Sequence, residues 1–171
     1  ANLHMMSTGH ITGAAAELTT VQISDTGNNG TVTITALEAT LGADLSTIVA
    51  GTITAALATG DTAKEIAAGA NLGTATVNIA GTGTVTVAAG ATVGAANLHM
   101  VDAGAITGAA AELHQVQISD TDLNGTVTIT ALETTLNADL STIVAGTVTA
   151  EFDTSATFIG DLGSSSVIVA D

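Results

Sequence analysis

The six residues DTDLNG, Asp120 to Gly125, are the stretch of this sequence best suited to holding an ion. Oxygen-bearing side chains at alternate positions (Asp120, Asp122 and Asn124), followed by a glycine that permits a sharp turn, are what a calcium loop uses. The match is partial. Counting from Asp120, the twelfth position is Ala131, where such a loop places a bidentate Glu, and Glu133 comes two places too late. A near-copy, DTGNNG at Asp25 to Gly30, has Gly27 where the second carboxylate would be. A polar turn ahead of a strand needs the same residue types, so calcium at Asp120, Asp122 and Asn124 and a plain turn both stand as readings.

Other chemistry is thinner. Of the histidines His4, His10, His99 and His114, none has a partner at metal spacing on one helix face, so they read as surface or loop residues. Paired carboxylates can do acid–base work. Here, however, Glu17, Asp25, Glu38 and Asp44 recur as Glu112, Asp120, Glu133 and Asp139. An acid copied along with a repeat serves the repeat: helix starts, turns and solvation account for it. No Ser-His-Asp order, phosphate loop or nucleophile elbow emerges, so no catalytic residue, no enzymatic activity and no cofactor apart from calcium is expected. Rows of Thr-x-Thr, such as TVTIT from Thr31, could order water on a flat face. That makes an ice-binding solenoid an alternative, although Thr is also an ordinary residue of an exposed strand face.

These residues must be positioned by a repeat. Residues 1–55 laid over 96–150, at an offset of 95, match at about 44 of 55 positions, and ANLHM, ITGAAAEL, VQISDT, GTVTITALE and ADLSTIVAGT all recur. Inside this long period lies a shorter one of roughly 20 residues, marked by Thr alternating with Val or Ile. Period two in β-branched residues is a strand signature, with Val32 and Ile34 expected inward and Thr31, Thr33 and Thr35 outward. In ADLSTIVAG, Leu45, Ile48 and Val49 at i, i+3 and i+4 predict a short helix, as do Leu140, Ile143 and Val144, and TAKE at Thr62 to Glu65 has capping-box spacing.

A unit of this size cannot bury its apolar face alone, whereas stacked units can. The expected fold is therefore a repeat solenoid: parallel β-strands stacked in coils of about 20 residues, with short helices or turns between them, an all-β solenoid being the alternative. One solenoid spans residues 1–171, with long copies 1–55 and 96–150, intervening coils 56–95 and a divergent last coil 151–171, which holds both phenylalanines, Phe152 and Phe158. Dividing the length by the period gives roughly eight coils and a rod about 40 Å long at the spacing of neighbouring strands. Residue 1 matches a position in mid-array, so the chain is expected to be a segment of a longer array or a subunit with an uncapped end. Its expected partners are neighbouring repeats of a longer chain or end-to-end copies of itself.

Composition narrows the function. Sixteen carboxylates against a single Lys64, with no Arg, leave a formal charge of −15. Phosphate neutralisation is then impossible, which excludes nucleic acid, and anionic membrane surfaces repel the chain. No apolar run reaches the roughly 20 residues of a membrane span, and no basic segment followed by an apolar one marks a signal peptide. Aliphatic residues are abundant while Trp, Tyr, Cys and Pro are absent, so the core must be built from many small side chains in thin, regular layers. The scarcity of Lys and Arg leaves almost no tryptic sites, which fits a long-lived extracellular material.

The succession ITGAAAEL, DLSTIVAGT and an alternating strand resembles the long repeat tracts of giant secreted cell-surface proteins of marine cyanobacteria, of the swimming-motility kind known from Synechococcus. The resemblance covers most of the chain. It implies an extracellular or cell-surface location, a structural role in a fibre, matrix or surface array, and possible calcium dependence, which would make a calcium-binding adhesion module a further alternative.

Overall fold

The structure is a computed structural model of the 171-residue chain, and it describes residues 1–18, 20–35, 40–41, 44–58, 63–114, 116–132, 137–152, 159–161, 163–164 and 166–169. The strands of the first half are β1 (Asn2–Met5), β2 (His10–Ala14), β3 (Gln22–Asp25), β4 (Thr31–Thr35), β5 (Thr40–Leu41), β6 (Thr52–Ala58), β7 (Lys64–Ile66), β8 (Thr76–Ala80) and β9 (Thr84–Val87). Those of the second half are β10 (Asn97–Met100), β11 (Ala105–Ala109), β12 (Gln117–Asp120), β13 (Thr126–Leu132), β14 (Asn137–Asp139), β15 (Thr147–Phe152), β16 (Ile159–Asp161) and β17 (Ser166–Val169). Two single-turn helices interrupt them: α1 (Ala15–Leu18) and α2 (Ala110–Leu113).

Every strand pairing is parallel, and the chain is a β-solenoid. One sheet runs β2-β4-β6-β8-β10-β12 and the other β5-β7-β9-β11-β13-β15-β17, with β1-β3 and β14-β16 as short additional pairs. Most registers advance 21 residues per coil: Thr12 lies beside Thr33, Thr33 beside Thr54, Thr86 beside Thr107 and Thr107 beside Thr128. The longer sheet holds seven strands among the described residues, fewer than the eight coils expected from length alone. Wider corners consume the difference, since Ile23 bridges Ile48, and Ile118 bridges Ile143, across 25 residues.

Strand alternation builds the interior. Val32 and Ile34 have no exposed surface while Thr31, Thr33 and Thr35 face outward, and the same in–out pattern holds in β8, β9 and β11. Val77, Ile79, Val85, Leu98, Ile106 and Ile129 join these residues in one continuous core extending from Met5 to Ala150. Each buried Val, Leu or Ile side chain contributes about 1.5–3 kcal/mol, and a thin core of many such residues replaces the large aromatic side chains that the chain lacks.

Two local expectations are overturned. Asp44 to Val49 is a corner, not a helix: Leu45 N–H donates across to Asn71 O (2.7 Å) and Val49 N–H to Ile23 O (3.0 Å). Amides engaged by neighbouring coils cannot close a helix. Leu45 and Ile48 do point inward, but Val49 is half exposed, as is its copy Val144. Thr62 lies outside the described residues, and Lys64 to Ile66, expected to open a helix, are strand β7, held between β5 and β9. A waiting ladder on each side overrides the local capping signal. The helices that do form come from the alanine-rich AAEL of each copy, whose Leu18 and Leu113 are buried.

The long repeat is out of phase with the coil. An offset of 95 residues is about four and a half coils of 21, so identical sequence lands on different sheets. Strands β2 and β4 belong to the six-stranded sheet, and their copies β11 and β13 belong to the seven-stranded one. Local pairing is nonetheless the same in both copies: His4 lies beside Ser24 as His99 lies beside Ser119. Each coil senses only its neighbours.

Candidate functional site

Asp120 closes strand β12 on an inward position and is 8% exposed. Its Oδ2 accepts the amide of Gly125 (2.8 Å) and that of Gly146 (3.3 Å), which belongs to the next coil, and its Oδ1 accepts the amide of Asp122 (3.3 Å). Asp25 repeats the arrangement, with Gly30 N–H on Oδ2 (2.7 Å) and Gly27 N–H on Oδ1 (3.3 Å). The Gly30 amide above all, opposed by burial and aided by the amides of Gly27, Gly51 and Asn29, holds the Asp25 carboxyl below its ordinary range. The residue between the two glycines takes a left-handed backbone, Asn28 at φ 50° and Leu123 at φ 53°.

These loops do not fit calcium. Both carboxylate oxygens of Asp120 already accept amides, and Asp122 and Asn124 lie exposed on the rim. The carboxylate fastens its own turn and ties that turn to the next coil. Among the described residues, no three His, Asp or Glu side chains converge as a metal site requires. Glu133 lies outside the described residues.

The histidines join coils in the same way. His99 Nδ1 lies 2.7 Å from Ser119 Oγ, and Thr121 Oγ1 lies 3.2 Å from His99 Nε2. Ser119 donates its single hydroxyl proton to Asn97 Oδ1 (3.2 Å). His99 Nδ1–H must therefore be the donor to Ser119, and Thr121 donates to Nε2. His4 makes the matching contacts to Ser24 (2.8 Å) and Thr26 (2.9 Å). A serine that receives a proton from its histidine is not activated by it.

A third set of polar residues, missed from sequence, builds the corners. Asp44, Asn71 and Asp161 each accept, on Oδ1, the amide two residues on: Ser46 (2.9 Å), Gly73 (3.0 Å) and Gly163 (2.8 Å). The hydroxyl of Ser46, first, and its amide lower the Asp44 carboxyl below its ordinary range. Between the polar residue and the small one sits an inward Leu45 or Leu72. The signal was present as the triplets DLS, NLG and DLG, but their spacing is irregular enough to hide among other acids. Glu112 and Asp102 likewise reach back one coil, accepting the amides of Gly90 (3.1 Å) and Gly81 (2.7 Å).

Two outward features remain. Thr12, Thr33, Thr54 and Thr76 form an in-register row across one sheet, and Thr86, Thr107, Thr128 and Thr149 form one across the other. An open groove of about 540 Å³ is lined by Asn28, Ser46, Ile48, Val49, Gly73 and Thr74, among others, and no titratable side chain is among its lining residues. No family model, curated protein or solved structure matches the chain.

Proposed function

We propose that the chain is a structural repeat element of an extracellular or cell-surface assembly (a fibre, matrix or surface array) and that its work is mechanical. One observation carries this reading: the recurring polar groups are committed to joining coils. Asp25 and Asp120, His4 and His99, Asp44 and Asn71, Glu112 and Asp102 all hold backbone or side-chain partners in their own turn or a neighbouring one. The parallel ladder carries load along the stack, because separating two coils requires breaking a whole row of backbone bonds together. The dense exposed carboxylates keep such a rod apart from its neighbours at low salt, and ions screen them, with a Debye length of about 10 Å at 0.1 M. Its partners on this reading are coils of the same kind. The test is immunogold labelling of the producing cells with antibody to the purified chain. Label on the outer surface or on shed fibres is expected, and label confined to the cytoplasm removes the proposal.

The two threonine rows favour a second reading, an ice-binding solenoid. Hydroxyl and methyl groups two residues apart along a strand, repeated at the spacing of coils, form a flat array that can anchor ordered water. It requires thermal hysteresis from the purified chain, and freezing behaviour equal to that of an acidic control protein rules it out.

A further inference from the structure

The repeat contains its own control experiment. Residues 96–113 and 1–18 differ at only four of eighteen positions, yet the second copy is covered by the coil before it and the first copy is not. In the second copy, β8 lies on β10 with Val77 beside Leu98, and β9 lies on β11 with Val85 beside Ile106. The amides of Asn97, Val101 and Ala105 donate to the carbonyls of Ala75 (3.1 Å), Ile79 (2.9 Å) and Gly83 (3.1 Å). Leu98 and Ile106 retain no exposed surface. In the first copy β1 and β2 are end strands, Leu3 is 40% exposed and Ile11 is only partly buried. The edge of the first coil is thus a seat whose natural occupant is visible elsewhere in the same molecule.

All strands being parallel, the two edges of the stack are chemically different, and only a strand offering the opposite edge fits. Strand β17 ends the seven-stranded sheet and offers that edge. Its sequence, SVIV, carries the alternation of TVTV in β9. Laid on β2 in the register of β9 on β11, position 167 falls beside Ile11 as Val85 does beside Ile106. Position 169 then falls beside Gly13, as Val87 does beside Gly108. A Cβ on Gly108 would approach Val87 Cβ to 3.1 Å, whereas a Cβ on Gly13 would meet only Leu18. The first copy therefore keeps the room that a valine of the preceding coil fills in the second.

We infer that the first coil, through the free edges of β1 and β2, binds β17 of a second copy of this chain head to tail, in the register that joins β11 to β9. This names the partner within the structural reading proposed above and rests on it. The contact is heterologous and does not close, so it propagates into filaments.

The test is sedimentation velocity with negative-stain microscopy of the full chain over a concentration series. Oligomers that lengthen with concentration are expected. Ile11→Lys should weaken association at least about tenfold while leaving the monomer's melting temperature near that of the wild type. Should Ile11→Lys itself melt early, Leu3→Lys, at a more exposed position on the same edge, replaces it. Val167→Lys should do the same from the other end. An equimolar mixture of Ile11→Lys and Val167→Lys, each keeping one good face, should give one-to-one dimers and nothing longer. A wild-type chain that stays monomeric throughout, an Ile11→Lys or Leu3→Lys chain that assembles like wild type, or a mixture that does not pair overturns the inference. A monomeric chain that still labels the cell surface removes the docking face alone and leaves the structural reading standing.

Discussion

Gly146 sits where one coil passes over the turn of the coil before it. A Cβ built there would overlap the carbonyl oxygen of Leu123 and come within 3.0 Å of the Asn124 nitrogen. Both are main-chain atoms of a turn already held in the left-handed region and tied down by Asp120, so neither can swing away as a side chain would. Gly146→Ala must push the two coils apart. Overpacking of this kind costs about 1–3 kcal/mol. The shift also stretches the Gly146 amide away from Asp120 Oδ2, already at 3.3 Å, for about 1 kcal/mol more. A loss of about 3 kcal/mol lowers the melting temperature of a chain this size by about 6–12 °C. Gly51→Ala should behave alike, since its Cβ would overlap the Asn28 carbonyl. The control is Gly94→Ala, whose Cβ would meet nothing within 4 Å. Restricting the unfolded chain should stabilise that variant by about 0.4–1 kcal/mol. Thermal unfolding followed by circular dichroism at fixed pH and salt reads all three. If Gly146→Ala melts with Gly94→Ala, the close passage of coil over turn is not a feature of the folded chain.

Further outcomes follow from the same geometry. Leu123 holds φ 53° where the first copy has Asn28, and a left-handed backbone costs an ordinary residue about 1–2 kcal/mol. Leu123→Asn should therefore raise stability by about 1 kcal/mol in denaturant titration. Leu98 is fully buried and Leu3, its copy, is 40% exposed, so Leu98→Ala should cost about 3 kcal/mol and Leu3→Ala well under half of that in the same assay. The carboxyls of Asp25 and Asp44 are depressed in the folded chain. Their contribution is present above the ordinary carboxylate value of about 4 and is lost as pH falls through the lower folded values. The gap in melting temperature between wild type and Asp25→Asn/Asp44→Asn should accordingly be open at pH 6 and close below pH 4. Because amides fill Asp120, calcium should raise the melting temperature no more than magnesium at matched ionic strength, and a calcium-specific rise would show that Asp120, Asp122 and Asn124 rearrange to bind it.

Much of this architecture was legible in the residue string. Alternation of Val or Ile with Thr determines which side of each strand is buried, because side chains on a strand have period two whatever the strand pairs with. That a coil of some 20 residues must stack on others follows from its having too few apolar side chains to bury by itself. The charge of −15 excludes phosphate-binding partners with no fold at all. What the string could not decide was anything that depends on which backbone lies next door. Asp120 reads equally well as an ion ligand or a turn residue until the Gly125 and Gly146 amides are seen on its oxygens. Leu45, Ile48 and Val49 have helical spacing, yet the amides of Leu45 and Val49 are claimed by Asn71 and Ile23 of neighbouring coils. The half-coil slip between the two long copies is likewise invisible in an alignment, where they simply match. Only stacking places one sequence on two sheets and leaves Leu3 open where Leu98 is closed, because hydrogen bonds between coils join residues 21 or more apart and take no account of the 95-residue period.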